Sequence, residues 1–224
     1  MKPLAKILIA GTAVLTLTLS SAYAGTNNNS DGGVSNVLNG QVNLNAQQST
    51  LTLATQDVSG NIAGGSVAGG NAINITTMND SNVNSSQYAA GTTIGADTYA
   101  DIDSVGGTTN LGSQSVCNSA SVSMEQTTTH ATSNQECGTS STGATAQAVV
   151  TNVANDVSLA STAVANSFSE NTAAPYGNVS NTQLNHSAVN TSTTLATSNV
   201  YGNVSASATS IGNTGTIIHY TPGN

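Results

Sequence analysis

The fold is decided by a ten-residue stretch, VSLASTAVAN at Val157–Asn166, which is repeated as VSASATSIGN at Val204–Asn213. In both copies a β-branched residue returns seven positions after the first Val, and Asn closes the stretch nine positions after it. Ile62–Asn71 keeps the nine-residue span, and Ile102–Asn110 is a weaker copy that is one residue shorter. Degenerate copies of one short unit are typical of proteins that stack similar structural modules.

A second unit, which lies between these copies, places Gln four positions after Val. It occurs at Val83–Gln87, Val122–Gln126 and Val179–Gln183. Polar residues at equivalent positions of stacked strands can form side-chain ladders. We therefore predict that the recurring amides form such ladders, and the candidate members are Gln87, Gln126, Gln183, Asn71, Asn110, Asn166 and Asn213.

Polar and apolar residues alternate in short runs, as in Gln41–Ala46 and Thr50–Leu53, and the runs are bounded by Asn-Gly or Gly-Asn pairs. Such alternation between turn residues predicts β-strands. Helix is disfavoured because Asn, Ser, Thr, Val and Gly are weak helix formers. The sequence therefore predicts an all-β fold with few or no helices after the first 24 residues.

The closing Asn residues of the first unit are 39, 56 and 47 positions apart, so the predicted repeat is irregular. The longest interval contains Cys117 and Cys137, and we interpret it as an insertion closed at its base by a disulfide. Stacked short strands in degenerate repeats favour an irregular β-solenoid over residues 25–224, in one domain. A β-sandwich is the alternative, because hairpins produce the same alternation.

Residues 1–24 are predicted to be a secretory signal peptide. Lys2 and Lys6 form a positive segment, Ile7–Leu19 is mostly apolar, and Ala22-Tyr23-Ala24 supplies a cleavage site with small residues. The chain that remains works outside the cytoplasm, where an oxidising environment favours a disulfide between the two cysteines.

The chain has 10 acidic and 2 basic side chains, and the two basic ones, Lys2 and Lys6, lie within residues 1–24. Removing residues 1–24 therefore leaves 200 residues with a formal charge of −10. Nucleic acid and anionic membrane surfaces are bound through Lys and Arg. The composition therefore excludes both as partners of the exported chain.

Two stretches carry a family resemblance. Val179–Val189, with its spaced Gln and Asn, resembles the repeats of curlin-type amyloid subunits. Ala206–Asn213, with Tyr220 near the terminus, resembles the bacterial holdfast attachment protein D family. That resemblance implies a protein exported to the outer membrane surface, with a role in adhesion and assembly with partner anchor proteins.

No catalytic, cofactor-binding or metal site is predicted. Asp101 and Asp103 would share one side of a strand, which suits a calcium ion or a glycosidase, but a solvated acidic edge is the favoured interpretation. The predicted function is that of a secreted structural protein, an anchor or a fibre or matrix subunit, which is not an enzyme. Its expected partners are other copies, surface anchor proteins or extracellular polysaccharide. A secreted β-solenoid that binds or cleaves polysaccharide and a Thr-based ice-binding protein are the alternatives.

Overall fold

The chain winds into four coils of three strands each, in a computed structural model that describes residues 8–13, 23–25, 35–77, 80–124, 128–173 and 176–220. Each strand pairs in parallel with the equivalent strand of the next coil. The architecture is a parallel β-solenoid, and the all-β solenoid prediction is confirmed. The β-sandwich alternative is wrong, because a sandwich is built from antiparallel sheets. None of the described residues belongs to a helix that could cross a membrane.

The strands form three sheets, which we call A, B and C. Sheet A contains β1 (Leu8–Ala13), β4 (Gln47–Val58), β7 (Thr93–Val105), β10 (Ser141–Val153) and β13 (Ala188–Val200). Sheet B contains β2 (Tyr23–Gly25), β3 (Ser35–Asn43), β6 (Ser81–Ala89), β9 (Thr128–Cys137) and β12 (Tyr176–Asn185). Sheet C contains β5 (Ile62–Thr77), β8 (Thr109–Met124), β11 (Val157–Thr172) and β14 (Val204–His219).

Coil 1 is β3–β5, coil 2 is β6–β8, coil 3 is β9–β11 and coil 4 is β12–β14. Strands β1 and β2 belong to no coil. They pair antiparallel with the outer edges of β4 and β3, through Leu8–Ala13 and Tyr23–Gly25. Both therefore lie within, or one residue beyond, the segment that the sequence predicts to be a signal peptide.

The local sequence explains why these strands form. In β6 every second residue is buried, and the inward row is Ser81, Val83, Ser85, Gln87 and Ala89. Side chains of a strand alternate between its two faces, so this pattern buries one face completely. The inward residues are small or carry an amide, and a narrow coil interior can hold them.

Each of the four coil strands of sheet A, β4, β7, β10 and β13, has an irregular residue one position before its last residue, which we call the bulge. Asp57, Ser104, Asn152 and Asn199 occupy the same position in the four coils, and all have a positive φ between 53° and 59°. The parallel register skips this position on both strands of every neighbouring pair, so these residues interrupt the pairing at the same level in each coil without adding a residue to one strand. Asn and Asp adopt this left-handed conformation more readily than most residues. The bulge therefore turns the chain from sheet A towards sheet C at the same place in every coil.

The interior is divided into three apolar clusters, because the register of sheet C is interrupted at Cys117 and Ala165 and its two halves pack against different sheets; we call this interruption the bend. The first half of sheet C packs against sheet A around Ile102, Val150 and Leu159. The second half packs against sheet B around Val122, Met124 and Phe168. Between them, at the bend, lie the two cysteines and small apolar residues such as Ala165.

The repeat is more regular than the sequence analysis predicted. Asn118 and Asn166 are 48 residues apart and occupy equivalent positions in adjacent coils, and Asn166 and Asn213 are 47 apart. Cys117 lies within β8 and Cys137 ends β9, and both strands pair in register with their neighbours. The predicted insertion is therefore wrong, because the described residues between the cysteines, 118–124 and 128–136, are ordinary parts of coils 2 and 3.

Candidate assembly site

A ladder of Asn side chains runs through the interior along sheet C. The Nδ2 atom of Asn71 donates to Oδ1 of Asn118 at 2.9 Å, Asn118 donates to Asn166 at 2.8 Å, and Asn166 donates to Asn213 at 2.8 Å. The donor always belongs to the lower-numbered coil. The ladder therefore has a direction, from coil 1 to coil 4.

A ladder of Gln side chains runs beside it along sheet B. Gln87 donates to Oε1 of Gln41, Gln135 donates to Gln87, and Gln183 donates to Gln135, each at 2.8 Å. Here the donor belongs to the higher-numbered coil. The two ladders therefore run in opposite directions.

Each amide uses its second N–H to bond the main chain of the facing sheet. Asn118 donates to the carbonyl oxygen of Glu136 at 2.9 Å, and Gln135 donates to the carbonyl oxygen of Ser167 at 2.9 Å. The same bonds recur one coil further on. The ladders thus hold sheets B and C together while they also connect the coils, and each buried N–H has a partner.

The structure places the predicted ladder residues as follows. Asn71, Asn166, Asn213, Gln87 and Gln183 lie in the two ladders. Asn110 does not, because it is exposed on β8 and pairs with Ala63 and Ser158. Gln126 lies outside the described residues.

Three ladder members were missed by the sequence analysis. They are Gln41, Gln135 and Asn118. The signals were present: Val37 precedes Gln41 by four positions, and Thr109 precedes Asn118 by nine, as Val157 precedes Asn166. Ala131 occupies the position of Val four residues before Gln135, so the Val-based pattern did not include Gln135.

The Cys117–Cys137 disulfide lies beside the ladders. It joins β8 of coil 2 to β9 of coil 3, at the bend of sheet C. Asn118 follows Cys117 directly, and its amide bonds the carbonyl of Glu136, which precedes Cys137. The covalent bond and the ladder therefore connect sheets B and C at the same place.

Coil 4 is open along its outer side, because β12, β13 and β14 are each the last strand of their sheet. Its inward-facing residues are exposed at this end, and Val204 and Ile217 have 48% and 54% of their surface accessible. Solenoids usually cover their ends with a polar repeat. Among the described residues no strand covers this one.

Glu170 is a buried carboxylate in an otherwise apolar row of sheet C. It is fully buried, and neither carboxylate oxygen has a hydrogen-bond partner. Its neighbours in the row are Val122 and Ile217. Burial raises the pKa of Glu170 to about 7, and the charge of His219 opposes that rise.

Asp101 and Asp103, the two acidic residues that the sequence places on one side of a strand, belong to β7 of sheet A. Asp101 lines a shallow groove of about 320 Å³, with Tyr99, Gln147 and Val149 among its other lining residues. Asp103 accepts hydrogen bonds from Thr151 at 2.7 Å and Asn152 at 2.8 Å, and these bonds lower its pKa. Asp103 thus accepts a hydrogen bond from Asn152, the bulge residue of the next coil.

The described surfaces also bear on two alternatives, a metal site and a regular Thr surface that could bind ice. In the described part of the chain, no three His, Cys, Asp or Glu side chains come together in a group that could hold a metal ion. The row that contains Thr194 reads Thr52, Tyr99, Gln147 and Thr194 across sheet A, so Thr does not recur in successive coils. A flat Thr surface for ice is therefore not formed there.

The fold and these ladders define a class of protein: a parallel β-solenoid with internal amide ladders and an open terminal coil. The chain belongs to the holdfast attachment protein D family, whose model matches residues 9–222. This membership indicates a cell-surface or extracellular protein with a role in adhesion. No curated protein and no solved structure matches the chain significantly.

Proposed function

We propose that this protein is an exported structural subunit of a cell-surface anchor and acts by assembly, not by catalysis. The observation that carries the proposal is the open outer side of coil 4, where strand edges and ladder amides are exposed together. Strand edges of this kind pair with other chains. The part of the chain after residue 24 has no Lys or Arg, although Lys on edge strands is one of the usual guards against such pairing.

The proposal includes export through removal of residues 1–24, and location on the outer membrane surface or outside the cell. The partners that suit the surface are further copies of this chain or other surface anchor proteins. Whether the assembly is a fibre or a discrete anchor depends on how many copies join. Either form would transmit force through parallel strand ladders without chemical turnover.

Immunogold electron microscopy on intact producing cells tests the location. Antibody to residues 25–224 should label fibres or an adhesive patch on the cell surface, and a deletion strain should show no label. In a flow chamber the deletion strain should detach at lower shear than the parent. Soluble protein in the medium or periplasm, with unchanged attachment, would contradict the proposal.

A second candidate function, contact with extracellular polysaccharide, is favoured by the groove on sheet A. Tyr99 stands among the polar and small side chains Thr52, Gln147 and Thr194, and 39% of its surface is exposed. An exposed aromatic ring flanked by hydrogen-bonding groups suits a sugar ring. Tyr99→Ala should weaken co-sedimentation with the cells' adhesive polysaccharide, whereas Tyr201→Ala, at an exposed corner, should not. Equal binding by both variants would exclude the groove.

A further inference from the structure

The two ends of the solenoid offer different groups, because the ladders have opposite directions. At coil 4, Asn213 uses one N–H to bond the Gln183 carbonyl and its Oδ1 to accept from Asn166. Its second N–H bonds no described group. Gln183 uses both N–H groups, towards Gln135 and Thr214, and its Oε1 accepts no hydrogen bond from the described residues. Coil 4 therefore presents one amide donor and one amide acceptor.

Coil 1 presents the complementary acceptor. Asn71 uses its N–H groups to bond Asn118 and the Tyr88 carbonyl, and its Oδ1 accepts no hydrogen bond from the described residues. If coil 4 of one copy stacked under coil 1 of another, Asn213 would donate to Asn71, as Asn166 donates to Asn213. In the Gln ladder, Gln41 of the second copy would follow Gln183 of the first copy, as Gln183 follows Gln135 within one chain.

The apolar rows also match across such a junction. Val204 continues the row that begins with Ile62, and Ile217 continues the row that begins with Ile75. Stacking would bring Val204 beside the next copy's Ile62, and Ile217 beside its Ile75. The exposed apolar surface of coil 4 would then be removed from water, as it is between the coils within one chain.

Two of the three strands at the receiving edge of coil 1 are covered in the full chain, whereas β5 has no further strand beside it among the described residues. Strand β1 occupies β4 over six residue pairs, from Leu8 with Ala54 to Ala13 with Ser49. Strand β2 occupies β3 through Tyr23–Gly25. Removal of residues 1–24 would take away β1 and two of the three residues of β2. The edge of coil 1 would then be as open as that of coil 4.

We propose that removal of residues 1–24 uncovers coil 1 as a receiving surface, onto which coil 4 of a second copy stacks head to tail. The inference deepens the proposed function and depends on its export step. Stacking of this kind is heterologous and does not close, so it generates a polar, unbranched filament. A two-fold junction between two coil 4 surfaces would make the strands antiparallel and reverse the donor direction of both ladders.

The first experiment removes the N-terminal residues from the full-length chain by proteolysis and follows assembly. A recognition sequence for a site-specific protease is inserted between residues 26 and 34 of the purified full-length protein. Light scattering is then recorded before and after cleavage. Scattering should remain flat until cleavage and rise afterwards, and the same chain without the inserted site should stay flat. Electron microscopy should show filaments with the width of one solenoid.

Two variants of coil 4 identify the surface. Asn213→Asp keeps the acceptor for Asn166 and removes the donor that the junction needs. Val204→Lys places a charge among the inward-facing residues of the open end. Each should slow assembly at least about tenfold, the effect of one lost hydrogen bond or more. The matched controls are Asn190→Asp and Ser205→Lys, on the outward face of the same coil, which should assemble like the parent.

The outcomes separate clearly. Assembly after cleavage that is lost in the two coil 4 variants and retained in both controls supports the inference. Flat scattering after cleavage would overturn it, and so would equal assembly of all four variants. The immunogold experiment decides the proposed function independently. Surface labelling together with flat scattering would overturn head-to-tail stacking alone and leave the adhesion role intact.

Discussion

At the scale of single residues, the ladder amides are polar side chains that each need several hydrogen bonds. Asn118 is fully buried, receives one hydrogen bond from Asn71 and donates two, to Asn166 and to the Glu136 carbonyl. Loss of a buried partner leaves the remaining groups unsatisfied, which is more costly than loss of the hydrogen bond itself. The stability of the coil stack should therefore depend strongly on this one residue.

Asn118→Ala should lower the free energy of unfolding by about 2–4 kcal/mol, because three buried partners lose a hydrogen bond. Asn110→Ala should change it by less than about 0.5 kcal/mol, since Asn110 is exposed and no side-chain hydrogen bond connects it to the ladders. Urea denaturation of both variants, followed by far-UV circular dichroism, measures the difference. Equal destabilisation would show that the ladder does not carry the stability assigned to it.

Glu170 should make stability depend on pH. Its pKa is raised from 4.5 to about 7 by burial, so the folded chain binds a proton more tightly than the unfolded chain. This contribution is complete below about pH 4.5 and is lost as the pH rises through about 7. The loss should be on the order of 2–3 kcal/mol between pH 5 and 8.

Glu170→Gln should remove that pH dependence, because the amide has no proton to lose. The variant should be more stable than the parent at pH 8 and similar to it at pH 5. Thermal unfolding at several pH values tests this, with Glu136→Gln as the control at a half-exposed carboxylate. A parent whose midpoint does not fall between pH 5 and 8 would contradict the assignment.

At the scale of strands, the bulge near the end of β4, β7, β10 and β13 recurs at the same position in all four coils. Asp57 has a φ of 58° and is exposed, which makes it the simplest position to test. Asp57→Gly should be neutral or stabilising, because Gly adopts this conformation without a steric penalty. Asp57→Val should cost about 1–2 kcal/mol, since a β-branched side chain is strained there.

Gln56→Val, one residue earlier on the same exposed edge, is the control and should have little effect. Denaturation midpoints of the three variants decide between conformational strain and a general intolerance of Val. If both Val variants lost the same stability, strain at the bulge would not be the cause.

Strand content and stacking followed from the sequence, while the register did not. Alternation predicted strands, and the match between Val157–Asn166 and Val204–Asn213 aligned two adjacent coils correctly. Coil 2 was misaligned because Ile102 resembles the first residue of the unit more than Thr109 does, yet Thr109 is the residue that pairs with Val157. One misplaced start moved Asn110 into the ladder and created the apparent insertion.

Other features had no signal in the sequence. Glu170 lies in a strand that reads as an ordinary alternation of small residues, and nothing local shows that its carboxylate points inwards. The opposite directions of the ladders depend on amide orientation, which spacing cannot encode. The antiparallel strands β1 and β2 also could not be expected, because their sequence indicates a leader and not a sheet edge.

At the scale of the whole molecule, stability is a sum of contacts between neighbouring coils, because each coil touches only those directly above and below it. Coil 3 is bonded on both sides, to coils 2 and 4, whereas coil 4 is bonded on one side. Its strands β12, β13 and β14 should therefore open more often than β9, β10 and β11. Local opening of this kind is measured by amide hydrogen exchange.

In the unassembled chain, hydrogen exchange with mass spectrometry should show faster exchange for peptides from residues 176–220 than for those from 128–173. If copies stack head to tail, coil 4 gains a neighbour, and its exchange should slow to the level of coil 3 on assembly. The Val204→Lys chain should keep fast exchange in coil 4 under the same conditions. Uniform protection of coils 3 and 4 before assembly would contradict the nearest-neighbour account, since the open coil would then need a partner elsewhere in the chain.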